Sequence, residues 1–221
     1  MRGPQMRDHI LDTAIRLFNL HGYQATGVDQ LVAETGVAKT TLYRHFASKE
    51  DLIIAALLRC DERDRDAMRA FVEGRARDPV RRLLATFDFL ELWFASETFH
   101  GCPFMNAAGE HGASESQVLG TAALHKRLVL AYLEELCHAA SLSDPKRVAA
   151  EINLLHEGAT AVAQVTRKSD PAVRAKSMAT RLLVEESRHL QRNKNGPADN
   201  SAQKLALDER RARTETHSSG A

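Results

Sequence analysis

Between residues 39 and 45 the chain reads Lys39-Thr40-Thr41-Leu42-Tyr43-Arg44-His45: two permanent cations, three hydroxyls, an imidazole and no carboxylate. Cations and hydroxyls at the start of a helix suit phosphate oxygens, because the peptide dipole there already favours anions. Lys49 just beyond, and Thr26 ahead of the preceding apolar segment, are expected to reach phosphates as well. A second set of candidates is apolar. Phe87, Leu90, Trp93 and Phe94 crowd one segment, and with Phe104 and Met105 they could wall a pocket for a small apolar or aromatic ligand, with Asn153 and His156 as its polar groups. The plainer reading makes these residues core and His156 a hydrogen-bonded structural histidine. Cys102, directly before Pro103, sits where a helix start would lower a thiol pKa and make it reactive; the alternative is a small buried cap. His100, Cys102 and His111 match no standard metal-ligand spacing, so neither a metal nor another cofactor is expected.

Helices must carry these groups. Three of the six prolines follow aspartate, at Asp78-Pro79, Asp144-Pro145 and Asp170-Pro171. Aspartate accepts from the free N–H groups of a first helical turn, and proline at the first helical position has no N–H to lose, so each pair reads as a helix start. Pro103 after Cys102 repeats the pattern. Thr26 with Asp29, Ser48 with Asp51 and Ser114 with Gln117 have capping-box spacing. Gly22, Gly74 and Gly112 read as stops. Apolar residues between these marks recur every three or four positions, as in Ile10, Ala14, Leu17 and Phe18. No segment alternates with a period of two. The expected fold is all-α, with helices near 7–21, 28–35, 39–46, 49–73, 79–97, 103–111, 115–139, 145–167 and 171–191.

The 221 residues suffice for one large or two small domains, and 43% hydrophobic and 27% charged residues are ordinary globular values. Thirty Lys and Arg against 29 Asp and Glu exclude a histone-like polycation, so any hold on nucleic acid must come from local placement of charge. Three scattered cysteines, no apolar leader after Met1 and no run approaching about 18 apolar residues lead us to expect a soluble cytoplasmic protein with no membrane partner. From Asn193 to Ala221 the chain turns polar, with only Leu205 and Leu207 as large apolar groups, and reads as a disordered extension.

Residues 28–46 combine two short helices with a turn at Gly36, where glycine tolerates a positive φ. Leu31, Val32, Val37, Leu42 and Phe46 supply a small core for the helix bearing Ile10, Leu17 and Phe18. That is a helix-turn-helix, whose second helix enters the major groove of DNA. Around it, Ala14-Ile-Arg-Leu-Phe18, Gly22-Tyr-Gln-Ala-Thr26, Gly36-Val, Thr41-Leu-Tyr43-Arg-His-Phe46 and Ser48-Lys49-Glu50-Asp-Leu52 closely resemble the DNA-binding domain of TetR-family transcriptional regulators. Val32 stands where that family usually has alanine, and Ala38 where it usually has a serine or threonine cap, which costs about 1 kcal/mol. The Gly101-Cys102-Pro103-Phe104 stretch resembles one branch of the family.

The resemblance implies a DNA-binding domain over 1–50 and a ligand-binding and dimerisation domain over 51–192. It also implies a homodimer through helices 145–167 and 171–191, double-stranded palindromic operator DNA as partner, and repression relieved by a small-molecule effector. The charged middle of helix 49–73, Asp61 to Asp66, is read as a solvated connector to the effector domain. The small-residue run from His156 to Gln164, which includes Gly158, suggests close approach of another helix, from the partner or from the same chain. A thiol-based oxidant or electrophile sensor working through Cys102 is the alternative to an apolar effector. We find no glycine-rich phosphate loop, no nucleophile elbow and no His-Glu-x-x-His, so an enzyme is not expected.

Overall fold

A computed structural model describes residues 3–111 and 116–195. Among the described residues it holds nine α-helices and no strand: α1 (Gly3–His21), α2 (Val28–Thr35), α3 (Lys39–His45), α4 (Lys49–Arg75), α5 (Pro79–Phe94), α6 (Pro103–Glu110), α7 (Gln117–Ala139), α8 (Pro145–Thr166) and α9 (Asp170–Asn195). The all-α expectation holds.

Three starts obey the capping logic. Asp78 accepts from the Arg81 N–H, Asp144 from that of Arg147 and Ser48 from that of Asp51. The Ser48 hydroxyl in turn donates to the Asp51 carboxylate at 2.9 Å. Other expectations need correction. The cap of α2 is Gly27, with no side-chain bond, and not Thr26. Ser114 and Gly112 lie outside the described residues, and α7 is capped by Ser116 accepting from Val118. Gly74 does not stop α4, which runs on to Arg75, and Asp170 is the first residue of α9 rather than its cap. There Asp170 pairs with Arg174 one turn on. The last helix continues to Asn195, three residues into the expected tail; 196–221, the rest of that tail, lie outside the described residues.

Two apolar clusters hold the chain together. The first takes Ile10, Leu17 and Phe18 of α1, Leu31 of α2, Leu42 of α3 and Leu52, Ile53 and Leu57 of α4. It continues through Cys102, Phe104 and Ala107 around α6 into Val118 and Ala122 of α7. The second joins Met68 and Val72 of α4 to α5, α7, α8 and α9. Trp93 packs against both. Arg59 of α4 ties back to α1 through Asp12 at 2.9 Å and through Asp8.

Ser48→Ala should lower the urea midpoint by the equivalent of about 1 kcal/mol with an unchanged denaturant slope. A wild-type midpoint would mean that the box does not hold the start of α4.

Candidate functional site

Gly36 adopts φ 67° and its N–H donates to the Val32 carbonyl, so the chain reverses between α2 and α3 in a left-handed turn. Leu42 is fully buried and fixes the inner face of α3; Ala38, its cap residue, makes no side-chain bond. Lys39, Thr40, Tyr43 and Arg44 are exposed, while Thr41 and His45 are half-buried, with His45 Nε2 enclosed and unpaired. The strip is not free of carboxylates in space: Asp29 of α2 reaches the Lys39 ammonium at 2.9 Å and holds its pKa above the ordinary value. Thr26 departs from expectation. It is fully buried and its hydroxyl donates to the carbonyls of Gly22 and Leu17, at 2.7 and 3.3 Å, leaving nothing for a phosphate. Lys49 is half-buried and its ammonium donates to the Gln24 carbonyl at 3.1 Å. Burial lowers its pKa, against a smaller opposing pull from Glu110.

A cavity of about 90 Å³ lies at the seam between the two apolar clusters. Cys102, Pro103 and Phe104 close it from the side of the first cluster, Met68, Leu90 and Val129 from the second, and Trp93 from between. Of the expected pocket residues, Leu90, Trp93, Phe104 and His156 line it. Phe87, Phe94, Met105 and Asn153 do not. Phe87 and Phe94, two turns apart on α5, turn into the second cluster, and Phe94 makes tilted ring contacts with Trp93 and Phe99. Met105 packs on the first cluster, and Asn153 is half-buried with an enclosed, unpaired Oδ1.

The polar wall is richer than the sequence reading foresaw. Asp61 is buried, which corrects the solvated connector: it accepts two bonds from Arg65, at 2.9 and 2.8 Å, and a third from His125 Nδ1 at 2.8 Å. Burial pushes its pKa up, but the bonds from Arg65 and His125 outweigh it and hold the carboxyl below its ordinary value. His125 stacks flat on Phe104, ring centres 3.6 Å apart, and burial lowers its pKa despite Asp61. Lys126 is paired with Glu157 at 2.6 Å, and its ammonium lies 3.6 Å from Cys102 Sγ. The Cys102 thiol is nevertheless pushed up by burial, with Lys126 opposing, so the helix start does not make it a thiolate. His156 presents its Nε2 to Thr86 Oγ1 at 2.9 Å and stands edge-on to Phe87; burial drives its pKa to about 3. His125 and Asp61 were legible in principle, since each falls within the apolar stripe of its helix: Ala122, His125, Val129 on α7 and Leu57, Asp61, Met68 on α4.

One contact between the two halves had no sequence signal. The Glu110 carboxylate, at the end of α6, accepts the N–H groups of Tyr23 and Gln24 at 3.1 and 2.6 Å, and Gln24 Nε2 donates to the Glu110 carbonyl. The Tyr23 hydroxyl donates to the Pro103 carbonyl at the other end of α6. The loop leading to α2 is thereby fastened at both ends to the short helix that closes the cavity.

A helix-turn-helix with an outward α3, joined to an all-helical half that bears a cavity, defines a helix-turn-helix transcriptional regulator. Residues 10–56 match the bacterial regulatory proteins of the tetR family. The HTH-type transcriptional regulator LmrA of Bacillus subtilis is 31% identical over 182 residues, 80% of this chain and 96% of that protein. The solved TetR-family regulator SCO4454 of Streptomyces coelicolor superposes with a TM-score of 0.75 at 26% identity, over 83% of this chain and 97% of its own. A TetR regulator from Chloroflexus aurantiacus does so at 0.74 and 25%, over 84% and 98%. The chain belongs to the TetR family and is a DNA-binding transcriptional regulator. No helix among the described residues is long and apolar enough to cross a membrane.

Two measurements check the electrostatics of the cavity. The folded pKa of His156, about 3, lies below the ordinary 6.5, so between these values the unfolded chain takes up a proton that the folded chain refuses. Stability is full above pH 6.5 and is lost as pH falls, by up to about 1.4 kcal/mol per pH unit. Urea titrations at pH 7 and 5 should show the loss, and His156→Phe should flatten it; an unchanged slope in that variant would refute the assignment. All three cysteines are buried free thiols. Ellman's reagent should accordingly find under one reactive thiol per native chain and three in denaturant, whereas rapid native modification of Cys102 would restore the thiol-sensor reading.

Proposed function

We propose that this regulator is a repressor that binds a palindromic operator as a homodimer, through α3 in successive major grooves, and is released by a small apolar or aromatic effector held in the cavity. DNA binding is assigned to residues 1–50, effector binding and dimerisation to 51–192. The observation that carries the reading is the double attachment of α6. Phe104 at its start walls the cavity, and Glu110 at its end grips the loop that leads into α2. At about 90 Å³ the cavity is smaller than the roughly 150 Å³ that holds a benzene molecule. An effector of ordinary size therefore has to displace a wall, and displacing Phe104 moves Glu110 and the reading helix with it.

Lys39, Thr40, Thr41, Tyr43, Arg44 and His45 form the DNA-facing set, with Arg44 the best placed to read a base. The Lys39–Asp29 pair is exposed, so a phosphate can replace Asp29 at little cost. Lys49 serves as a phosphate contact and as the latch on Gln24. The dimer reading draws on the outer face of α8 and α9, where Leu154, Val162, Val165, Val173 and Met178 are exposed apolar residues. A β-carbon at Gly158 would meet no other atom within 4 Å, so no helix of the same chain packs closely there, which favours the partner's helix. A two-fold axis through this face pairs two reading helices with two half-sites.

With the intergenic DNA beside the gene as probe, Arg44→Ala should lose about 1–3 kcal/mol and relax preference at one position of each half-site. Lys49→Ala should weaken binding to all sequences and reduce the salt slope by about one. Glu110→Ala should keep effector affinity while the effector concentration needed for release rises about tenfold or more. Release at the wild-type concentration would show that the signal does not pass through α6.

A further inference from the structure

The cavity wall restricts the chemistry of its ligand. Its charged side chains cancel: Arg65 is clamped by Asp61, Lys126 by Glu157, and Asp64 faces Arg63 at 3.0 Å. A ligand carrying net charge would meet no unpaired partner and would pay for its own desolvation. The hydroxyls and imidazoles in and directly behind the wall have their hydrogens committed. The Thr86 hydroxyl gives its hydrogen to the Leu83 carbonyl at 2.6 Å, so at 2.9 Å from His156 it can only accept. The His156 proton therefore resides on Nε2, and Nδ1 is a bare acceptor. His125 is fixed in the opposite tautomer: Nδ1–H points at the Asp61 carboxylate, leaving Nε2 bare. The Thr160 hydroxyl donates to the His156 carbonyl, so it too can only accept from a ligand. His156 is 4% exposed and His125 9%, both line the cavity, and neither bare nitrogen has a partner among the described residues. No group of three or more His, Cys, Asp or Glu among those residues is placed to hold a metal ion. Phe89, Trp93 and Phe104 supply flat apolar walls around these acceptors.

We propose that the effector is a neutral aromatic molecule that donates a hydrogen bond, from a hydroxyl or N–H, to His156 Nδ1, and from a second donor, where it carries one, to His125 Nε2. The proposal rests on the effector-cavity reading and gives it a ligand class. A ligand without a donor leaves both nitrogens dry and unpaired, and an anion sets lone pair against lone pair.

Three probes of one shape separate the possibilities: p-cresol, its methyl ether 4-methylanisole, and 4-methylbenzoate. Calorimetry gives the affinities, and emission of Trp93, the single tryptophan of the chain, reports whether the probe has entered the cavity. We expect p-cresol to bind about tenfold or more tightly than the ether, and the benzoate more weakly than both. Thr86→Val, close in volume, frees His156 Nε2 from its acceptor and unpins the tautomer, so the preference for p-cresol over the ether should shrink at least to about half its wild-type ratio. The melting temperature checks that this variant folds. Equal affinity for p-cresol and the ether, a preference for the benzoate, or an unchanged preference in folded Thr86→Val overturns the donor assignment while the cavity reading stands. If none of the three probes changes Trp93 emission at saturating concentration, the cavity reading itself fails.

Discussion

Two backbone N–H groups in the loop before α2, those of Tyr23 and Gln24, find their acceptor on a helix more than eighty residues away. Unpaired, such donors would cost free energy each time the loop left water. Glu110 meets both with one carboxylate, and the bond between the Tyr23 hydroxyl and the Pro103 carbonyl fixes the opposite end of the same helix. Gly22 belongs to this arrangement: it adopts φ 87°, and a β-carbon there would stand 3.0 Å from the Glu110 carboxylate. The orientation of the helix-turn-helix is thus defined against α6 as well as against α4, and the start of α6 is also part of the cavity wall.

The cavity lies between two hydrophobic clusters that would otherwise meet. A seam of this kind is where packing is easiest to open, because a ligand entering it separates two cores without breaking into either. Three bonds made by its polar lining join different helices: Asp61 on α4 with His125 on α7, Lys126 on α7 with Glu157 on α8, and Thr86 on α5 with His156 on α8. A shift of any one of these helices strains a bond to another.

Much of this could be read from the residues alone, because local rules govern it. Aspartate before proline marked the starts of α5 and α8 correctly, the Ser48 box marked α4, and Gly36 marked the turn. The errors came where distance in sequence mattered. Thr26 resembles a cap, yet its hydroxyl serves carbonyls of the preceding turn and of α1. Asp61 stands in a run of charges that looks solvated, although it falls on the apolar stripe of α4, where His125 of α7 meets it. Cys102 has the helix-start position that lowers a thiol pKa, but desolvation there exceeds the dipole. Glu110 carries no local mark at all, since its meaning lies in the loop it holds.

The first apolar cluster ignores the boundary drawn near residue 50. Phe104, Ala107, Val118 and Ala122 complete the core on which α1, α2 and α3 are built. A DNA-reading segment transplanted alone onto a relative's effector half would arrive without part of its own interior. In chimaeric regulators, and in any recombination that shuffles operator specificity among relatives, the exchanged unit must include α6 and the start of α7, or else the recipient must already offer side chains of matching volume there.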